Sequence, residues 1–74
     1  MKKLLDARGL LCPLPVLRAR KAILPLLPGE ELEVLATDPA AIADFSAFCS
    51  QTGHTYVSGE EMNGIYKIRL RRKN

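Results

Sequence analysis

Cys12 is the residue best placed for chemistry, because the run Cys12-Pro13-Leu14-Pro15 puts a thiol where a helix is predicted to begin. Proline is tolerated in the first helical turn, where backbone N–H groups have no intrahelical acceptor. We therefore predict that Cys12 is the N-cap of this helix. The positive end of a helix stabilises a thiolate, and thiols there can ionise well below their usual pKa of about 8.5. The expected chemistry is nucleophilic attack by the sulfur.

Gly9, Pro13 and Pro15 are predicted to support the sulfur by constraining the backbone around it. Gly9 lets the chain turn sharply toward Cys12, because glycine adopts backbone angles that other residues avoid. The two prolines stiffen the first helical turn, so a partner protein meets a fixed target and loses little entropy on binding. They also have no N–H, which leaves the Leu14 N–H directed at the cap side chain.

Positive side chains near the motif are expected to favour the ionised sulfur further. Arg18 and Lys21 follow the motif, and Arg8 precedes it. A cation close to a thiol stabilises the thiolate and lowers the pKa. Which of the three approaches Cys12 depends on the fold.

Cys49 and His54 are the other residues with a potential role in sulfur chemistry. Cys49 shares the apolar face of a predicted helix with Phe45 and Phe48, and free cysteine is among the most buried residue types. We interpret Cys49 as a core residue, with a second sulfur site as the alternative. His54 is the only histidine, and it is either a structural residue or the base that activates Cys12.

The counts of metal-binding residues argue against a metal site. The chain has two cysteines and one histidine, with no Cys-x-x-Cys pair, so a structural zinc site lacks its usual four ligands. We expect both thiols to be reduced. No run of 18 apolar residues occurs, and Asp6 and Arg8 interrupt the basic N-terminus early. The composition predicts a cytoplasmic protein without membrane insertion, and it gives no indication of a metal or organic cofactor.

Two helices are predicted from the spacing of apolar residues. The first has apolar residues at spacings of 3, 4 and 3, which is typical of one buried helix face: Val16, Ala19, Ile23 and Leu26. Pro25 is expected to end or kink this helix near Leu24. The second helix begins with Asp38 as N-cap, rather than as an acid, and Pro39 as the first helical residue, and it ends at Gly53. Its predicted apolar face consists of Ala41, Ile42, Phe45, Phe48 and Cys49.

Four strands complete the predicted secondary structure. They span residues 2–6, 31–37, 54–58 and 65–71. A polar loop at 60–64 is predicted between the last two strands, and its Asn63-Gly64 pair is a strong indication of a hairpin.

The alternation of apolar and polar residues predicts how the strands pack. Three apolar residues of the second strand share one face: Leu32, Val34 and Ala36. In the last strand, Tyr66, Ile68 and Leu70 are expected to face the helices, while Lys67, Arg69 and Arg71 lie on the open face. The order β-α-β-α-β-β predicts an α+β fold, a two-layer α/β sandwich with two helices on one face of a four-stranded mixed sheet. We expect one domain over residues 1–74.

The net charge of +3 comes partly from a cluster of basic residues near the C-terminus: Lys67, Arg69, Arg71, Arg72 and Lys73. One alternative function is therefore a nucleic-acid-binding or regulatory module that uses this strand. Direct nucleic-acid binding is disfavoured, because the chain has two tyrosines, two phenylalanines and no tryptophan, most of them predicted in the core. A second alternative is a thiol redox protein using Cys12 and Cys49, although these residues are far apart in the sequence.

Residues along nearly the whole chain contribute to a resemblance with one protein family. They are Asp6, Gly9-Leu10, Cys12-Pro13-Leu14-Pro15-Val16, Arg20-Lys21, Pro28-Gly29-Glu30, Asp38-Pro39-Ala40, Phe48-Cys49 and His54. Together they resemble the TusA/SirA family of small sulfur carrier proteins. A Cys-Pro-x-Pro run alone is weak, but its place after a short strand and a Gly-Leu pair, in a chain of this length, makes it specific.

The resemblance implies both a fold and a chemistry. The fold is a two-layer α/β sandwich similar to the C-terminal domain of bacterial translation initiation factor 3. The chemistry is that of a sulfurtransferase-type carrier, in which Cys12 accepts sulfane sulfur as a persulfide and passes it to an acceptor protein. The implied partners are a cysteine desulfurase or other persulfide donor and a downstream sulfur-relay protein. In one branch of the family the sulfur reaches 2-thiouridine in tRNA, and members of that branch often carry glutamate where this chain has Leu14.

Overall fold

The structure, a computed structural model, describes residues 2–74 and contains, within them, two helices and four strands. They occur in the predicted order: β1 (Lys2–Ala7), α1 (Leu14–Ile23), β2 (Glu31–Ala36), α2 (Ala41–Thr52), β3 (Thr55–Met62) and β4 (Ile65–Arg71). The predicted α+β class is confirmed. Met1, which is part of the predicted domain over 1–74, lies outside the described residues.

The sheet is mixed because helical connections join β1 to β2 and β2 to β3, whereas a hairpin joins β3 to β4. β1 pairs with β2 in parallel, and β4 lies between β2 and β3, antiparallel to both. A helical crossover joins parallel strands, whereas a two-residue turn joins antiparallel ones. β1 and β3 are therefore the edge strands. The N-terminal ends of α1 and α2 follow the carboxyl ends of β1 and β2, which lie side by side.

One apolar core lies between the helices and the sheet. The alternation predicted for β2 is confirmed, because alternate residues are buried and their neighbours are partly exposed. Phe45 and Phe48 meet edge to face, with ring centroids 6.4 Å apart and an interplanar angle of 86°. The buried apolar residues are Ala7, Ala19, Ile23, Leu26, Leu32, Val34, Ala36, Ala41, Phe45, Phe48, Cys49, Ile68 and Leu70.

α1 ends where Pro25 predicts that it should. Its last residue is Ile23, and Leu24 is the C-cap. A single turn follows, in which the Leu26 N–H donates to the Ile23 carbonyl at 3.2 Å. This turn keeps Leu26 buried, so the apolar face continues beyond the helix itself.

The predicted polar loop at 60–64 is wrong, because β3 continues to Met62. Residues 60–62 pair with residues 65–67 of β4, and the connection is only Asn63-Gly64. Both turn residues have positive φ, 54° and 82°, as a tight two-residue hairpin requires. The polar residues that suggested a loop instead belong to the exposed end of an edge strand. Polarity there reflects exposure to solvent and the protection of a strand edge.

Gly59 is required in β3 because Tyr56 occupies the space beside it. A Cβ atom at position 59 would lie 1.9 Å from the Tyr56 hydroxyl oxygen. A register shift between Tyr56 and Ser58 redirects the strand at this point. Burial raises the pKa of the Tyr56 phenol, with a smaller contribution from Cys49. The tyrosine therefore packs over the glycine on the helix-covered face of the sheet.

The open face of the sheet carries the charged ladder that the alternation predicts. Arg69 Nη2 lies 3.3 Å from Glu33 Oε1, and its Nε lies 3.6 Å from Glu31 Oε1. Arg71 Nη2 lies 3.2 Å from Glu31 Oε2. The pairs join directly opposed residues of β2 and β4 and their diagonal neighbours. Cross-strand pairs of this kind each stabilise a sheet by about 0.2–1 kcal/mol.

Candidate functional site

Cys12 lies in the loop between β1 and α1, one residue before the helix cap. The prediction that Cys12 is the N-cap is wrong, because Pro13 occupies that position and α1 begins at Leu14. The Leu14 N–H donates to the Leu11 carbonyl at 2.9 Å, so it does not point at the sulfur as predicted. The Leu14 N–H, which was predicted to bond with the Cys12 side chain, is thus used by a backbone turn. Cys12 is exposed to solvent.

The loop around Cys12 is anchored to the loop that follows β2. Gly9 has a φ of 82°, as the predicted sharp turn requires, and its N–H donates to Thr37 Oγ1 at 2.9 Å. The Cys12 N–H donates to Asp38 Oδ2 at 2.6 Å. The Cys12–Pro13 peptide bond is cis, and Pro15 is buried in the first turn of α1. The hydrogen bonds of Gly9 and Cys12 therefore fix the backbone that carries the thiol to the loop after β2.

Asp38 is the residue whose role differs most from the prediction. It is not the N-cap of α2, because the helix begins at Ala41 and Ala40 is the cap residue. Its Oδ1 accepts from the Ala40 N–H at 3.0 Å, and its carbonyl accepts from the Ala41 N–H at 2.9 Å. Since Oδ2 accepts from Cys12, one largely buried carboxylate joins the beginnings of both helices.

A hollow of about 200 Å³ opens beside Cys12, between one face of α1 and one face of α2. It contains a thiol, a cation and a carboxylate, contributed by Cys12, Arg20 and Asp44. The remaining lining residues are Pro13, Val16, Ala47, Phe48 and Gln51. Their helical spacings, 16 and 20 on α1 and 44, 47, 48 and 51 on α2, identify two facing stripes.

The cation of this hollow is not one that the sequence analysis proposed. Arg20 lines it because it lies one helical turn after Val16 on the same face of α1. Arg18 and Lys21 are exposed on α1 and are not among the residues that line the hollow. Arg8 is paired with Asp6 at 2.9 Å, and this contact lowers the pKa of Asp6 to about 2.

The electrostatic prediction for Cys12 is wrong in sign. Its pKa is raised above the ordinary thiol value, first by a hydrogen bond to Asp44, then by partial desolvation and by the charges of Asp44 and Asp38. The helix terminus offers little compensation, because two of its first residues are prolines and the Leu14 N–H is already bonded. The free protein therefore favours the protonated thiol.

Residues 3–72 match the family model described as Sulfurtransferase TusA. The chain belongs to the TusA family. A putative sulfur carrier protein of Neisseria meningitidis is 48% identical over 69 residues, which cover 93% of each chain. The sulfur carrier protein TusA of Allochromatium vinosum is 43% identical over 68 residues, covering 92% of this chain and 90% of that relative.

The crystal structure of a SirA-like protein from Desulfitobacterium hafniense has the same fold. It aligns with a TM-score of 0.78 at 27% identity, covering 100% of both chains. The predicted membership of the TusA/SirA family is thereby confirmed. Its relatives are named sulfur carrier proteins, and a sulfur carrier role follows for this chain.

Cys49, the second thiol of this TusA-family protein, lies in the core as predicted. It is 4% exposed, in the last turns of α2. Burial alone raises its pKa. A second sulfur site at Cys49, or a redox pair with Cys12, would require this part of the core to open.

His54 is held by the C-terminal segment. Its Nδ1 accepts from the Lys73 N–H at 3.0 Å, and its ring packs on Phe48 with centroids 5.8 Å apart. Its pKa is lowered by burial and by the charges of Lys73 and Arg72. Because the Nδ1 lone pair already accepts a backbone hydrogen, this arrangement supports the structural role. The base role stays a prediction.

Four of the five basic residues in the C-terminal cluster make side-chain contacts within the protein. Besides the pairs of Arg69 and Arg71 with glutamates, Arg72 donates from Nη1 to the Leu26 carbonyl. Lys73 donates from Nζ to the Thr52 carbonyl at 2.7 Å. Side chains committed in this way are poor ligands for a phosphate backbone, so the geometry disfavours the nucleic-acid alternative.

Two further expectations concern metals and membranes. Among residues 2–74, no three potential ligands from histidine, cysteine, aspartate and glutamate come together to hold a metal ion. No helix within the same residues is long and apolar enough to cross a bilayer.

Proposed function

We propose that Cys12 accepts sulfane sulfur from a donor protein as a persulfide and delivers it to an acceptor protein. The single observation that carries the proposal is an exposed thiol on a loop whose backbone is hydrogen-bonded to a largely buried carboxylate. Such a thiol is accessible to a second protein and presents it with a fixed target. The matched TusA family model and the sulfur carrier relatives support the same conclusion.

The transfer consists of two balanced exchanges. The Cys12 thiolate attacks the outer sulfur of the donor's persulfide, the donor's S–S bond breaks, and the donor sulfur leaves as a thiolate. A thiolate of the acceptor then attacks the outer sulfur on Cys12, and Cys12 leaves as a thiolate. Arg20, in the adjoining hollow, supplies positive charge near these anions. The chain therefore acts as a carrier with its partners rather than as an independent catalyst.

The surface around Cys12 is suited to protein partners. Leu11, Leu14 and Leu17 are 69%, 44% and 48% exposed, an unusual concentration of apolar side chains beside one thiol. Exposed apolar groups rimmed by polar residues mark protein-binding surfaces. Arg18 and Lys21, exposed on α1, extend this surface and would complement acidic residues of a partner.

We assign the donor role to a cysteine desulfurase and the acceptor role to a sulfur-relay protein, with 2-thiouridine in tRNA as one destination. A desulfurase supplies sulfane sulfur as a cysteine persulfide, which is the form that Cys12 can attack. We place the transfer in the cytoplasm, because both cysteines are free and disulfides are rare there.

The test is sulfur loading from cysteine. After incubation with a cysteine desulfurase, pyridoxal phosphate and cysteine, intact mass spectrometry should show the mass of one added sulfur atom, removed by reductant. Cys12→Ser should abolish the adduct, whereas Cys49→Ala, the matched control at the buried thiol, should retain it. No adduct on the wild-type protein, or an undiminished adduct on Cys12→Ser, would contradict the proposal.

A further inference from the structure

Asp44 faces Cys12 across the hollow between the two helices. It lies in the first turn of α2, where an acidic residue ordinarily stabilises the helix dipole and needs no other explanation. Here its side chain also lines the hollow that contains the thiol. A first-turn carboxylate that lines the same hollow as a reactive sulfur is in a position to control the proton of that sulfur.

Two other charged residues, Arg20 and Asp38, lie near Cys12. From α1, Arg20 lines the same hollow. From the loop before α2, Asp38 commits one carboxylate oxygen to the Cys12 N–H and the other to the Ala40 N–H. Asp38 is therefore occupied with backbone donors, and Asp44 is the carboxylate that lines the hollow together with the thiol.

We propose that Asp44 is a positioning residue for sulfur transfer, which holds the proton on Cys12 and keeps the free carrier in its unreactive thiol form. The inference rests on the proposed function of Cys12 and adds a control on it. When a cationic side chain of a docked partner pairs with Asp44, that carboxylate no longer accepts from the Cys12 thiol. The thiolate then forms inside the complex. The hollow is open to solvent, so such a side chain can reach Asp44.

The expected size of the effect follows from thiol chemistry. Removing a neighbouring negative charge typically lowers a pKa by about one unit, which gives about tenfold more thiolate at neutral pH. A thiolate of lower pKa is also a weaker nucleophile, with a Brønsted coefficient of about 0.4–0.5. The two effects together leave an increase in reaction rate of about threefold.

The experiment is a pH profile of Cys12 alkylation in the complete chain. Iodoacetamide labelling is followed by peptide mass spectrometry, which separates Cys12 from Cys49, from about pH 6 to pH 10. Asp44→Asn should shift the midpoint for Cys12 downward by about one unit and raise the rate at neutral pH about threefold. Asp44→Glu should remain close to wild type, because it restores the carboxylate. Glu60→Gln removes the same charge on the exposed end of β3 and should leave the profile unchanged.

An unchanged or raised midpoint in Asp44→Asn would overturn the inference. An equal shift in Glu60→Gln would also overturn it, because the effect would then reflect net charge. If circular dichroism shows that Asp44→Asn is unfolded, Asp44→Ser is measured against the same criteria. No sulfur donor is present in this experiment, so its outcome is independent of the loading test for Cys12.

Discussion

Cys12 and Cys49 are the same side chain in opposite environments. Cys12 is exposed on a loop anchored by Asp38, whereas Cys49 is packed in the core on the buried face of α2. Both thiols have a raised pKa, but the causes differ: a neighbouring carboxylate at Cys12 and burial at Cys49. A partner can neutralise a carboxylate, while burial is reversed only by local unfolding. The direction of a pKa shift therefore says less about function than whether its cause can be removed.

The largest expected difference between the two thiols is their rate of alkylation in the folded protein. Cys12 should react at least about 100-fold faster than Cys49, because opening a small core costs on the order of 3 kcal/mol or more. Peptide mass spectrometry after timed iodoacetamide labelling measures both rates. In about 6–8 M urea, where the chain is unfolded, the alkylation rates of the two thiols should converge. Equal rates without denaturant would contradict the assignment of Cys49 to the core.

The second expected difference is in stability. Cys49→Ser should lower the free energy of unfolding by about 1–3 kcal/mol, because a hydroxyl in the core loses its hydrogen bonds to water. Cys12→Ser should change it by less than about 0.5 kcal/mol, since the exposed side chain packs little. Urea unfolding of both variants provides the measurement, and each variant is the matched control for the other. Similar losses at both positions would show that Cys12 also has a packing role.

The core side of this comparison could be predicted from the sequence because its signals are local. The spacing of Val16, Ala19 and Ile23 and the alternation along β2 give the period of each element directly. Cys49 is buried because it lies on the same helix face as Phe45 and Phe48. The Asn63-Gly64 turn is likewise set by two adjacent residues, as both positive φ values show.

The site could be predicted only in part, because its interactions connect distant parts of the chain. Cys12 and Asp38 are 26 positions apart, and no periodic pattern links a thiol loop to the start of another helix. Arg20 and Asp44 come together only when α1 and α2 are packed against each other. The sequence therefore singled out Cys12 as the candidate nucleophile, which stays a prediction, but it gave no sign of the carboxylates of Asp44 and Asp38 that raise its pKa.

The smallest expected effect is the contribution of His54 to the pH dependence of folding stability. It tests whether this histidine is structural or is the base that activates Cys12. Its folded-state pKa is lowered, so the unfolded chain binds the proton more strongly. Stability from this group is present above the unfolded pKa of about 6.5 and is lost as the pH falls through 6.5 toward the folded pKa. His54→Gln should remove this part of the pH dependence of urea unfolding. It should leave the alkylation rate of Cys12 unchanged, whereas a slower rate would support the role of His54 as the base that activates Cys12.

The shared carboxylate of Asp38 has a mechanical consequence. Because its two oxygens accept from Cys12 and from Ala40, an outward movement of the loop must either break the hydrogen bond to Cys12 or pull the carboxylate away from the cap of α2. Movement of the segment that carries Cys12 and fraying of that helix start are thus coupled through one side chain. The segment that carries Cys12 is held to the two-layer fold, so it loses little conformational entropy when a partner protein binds.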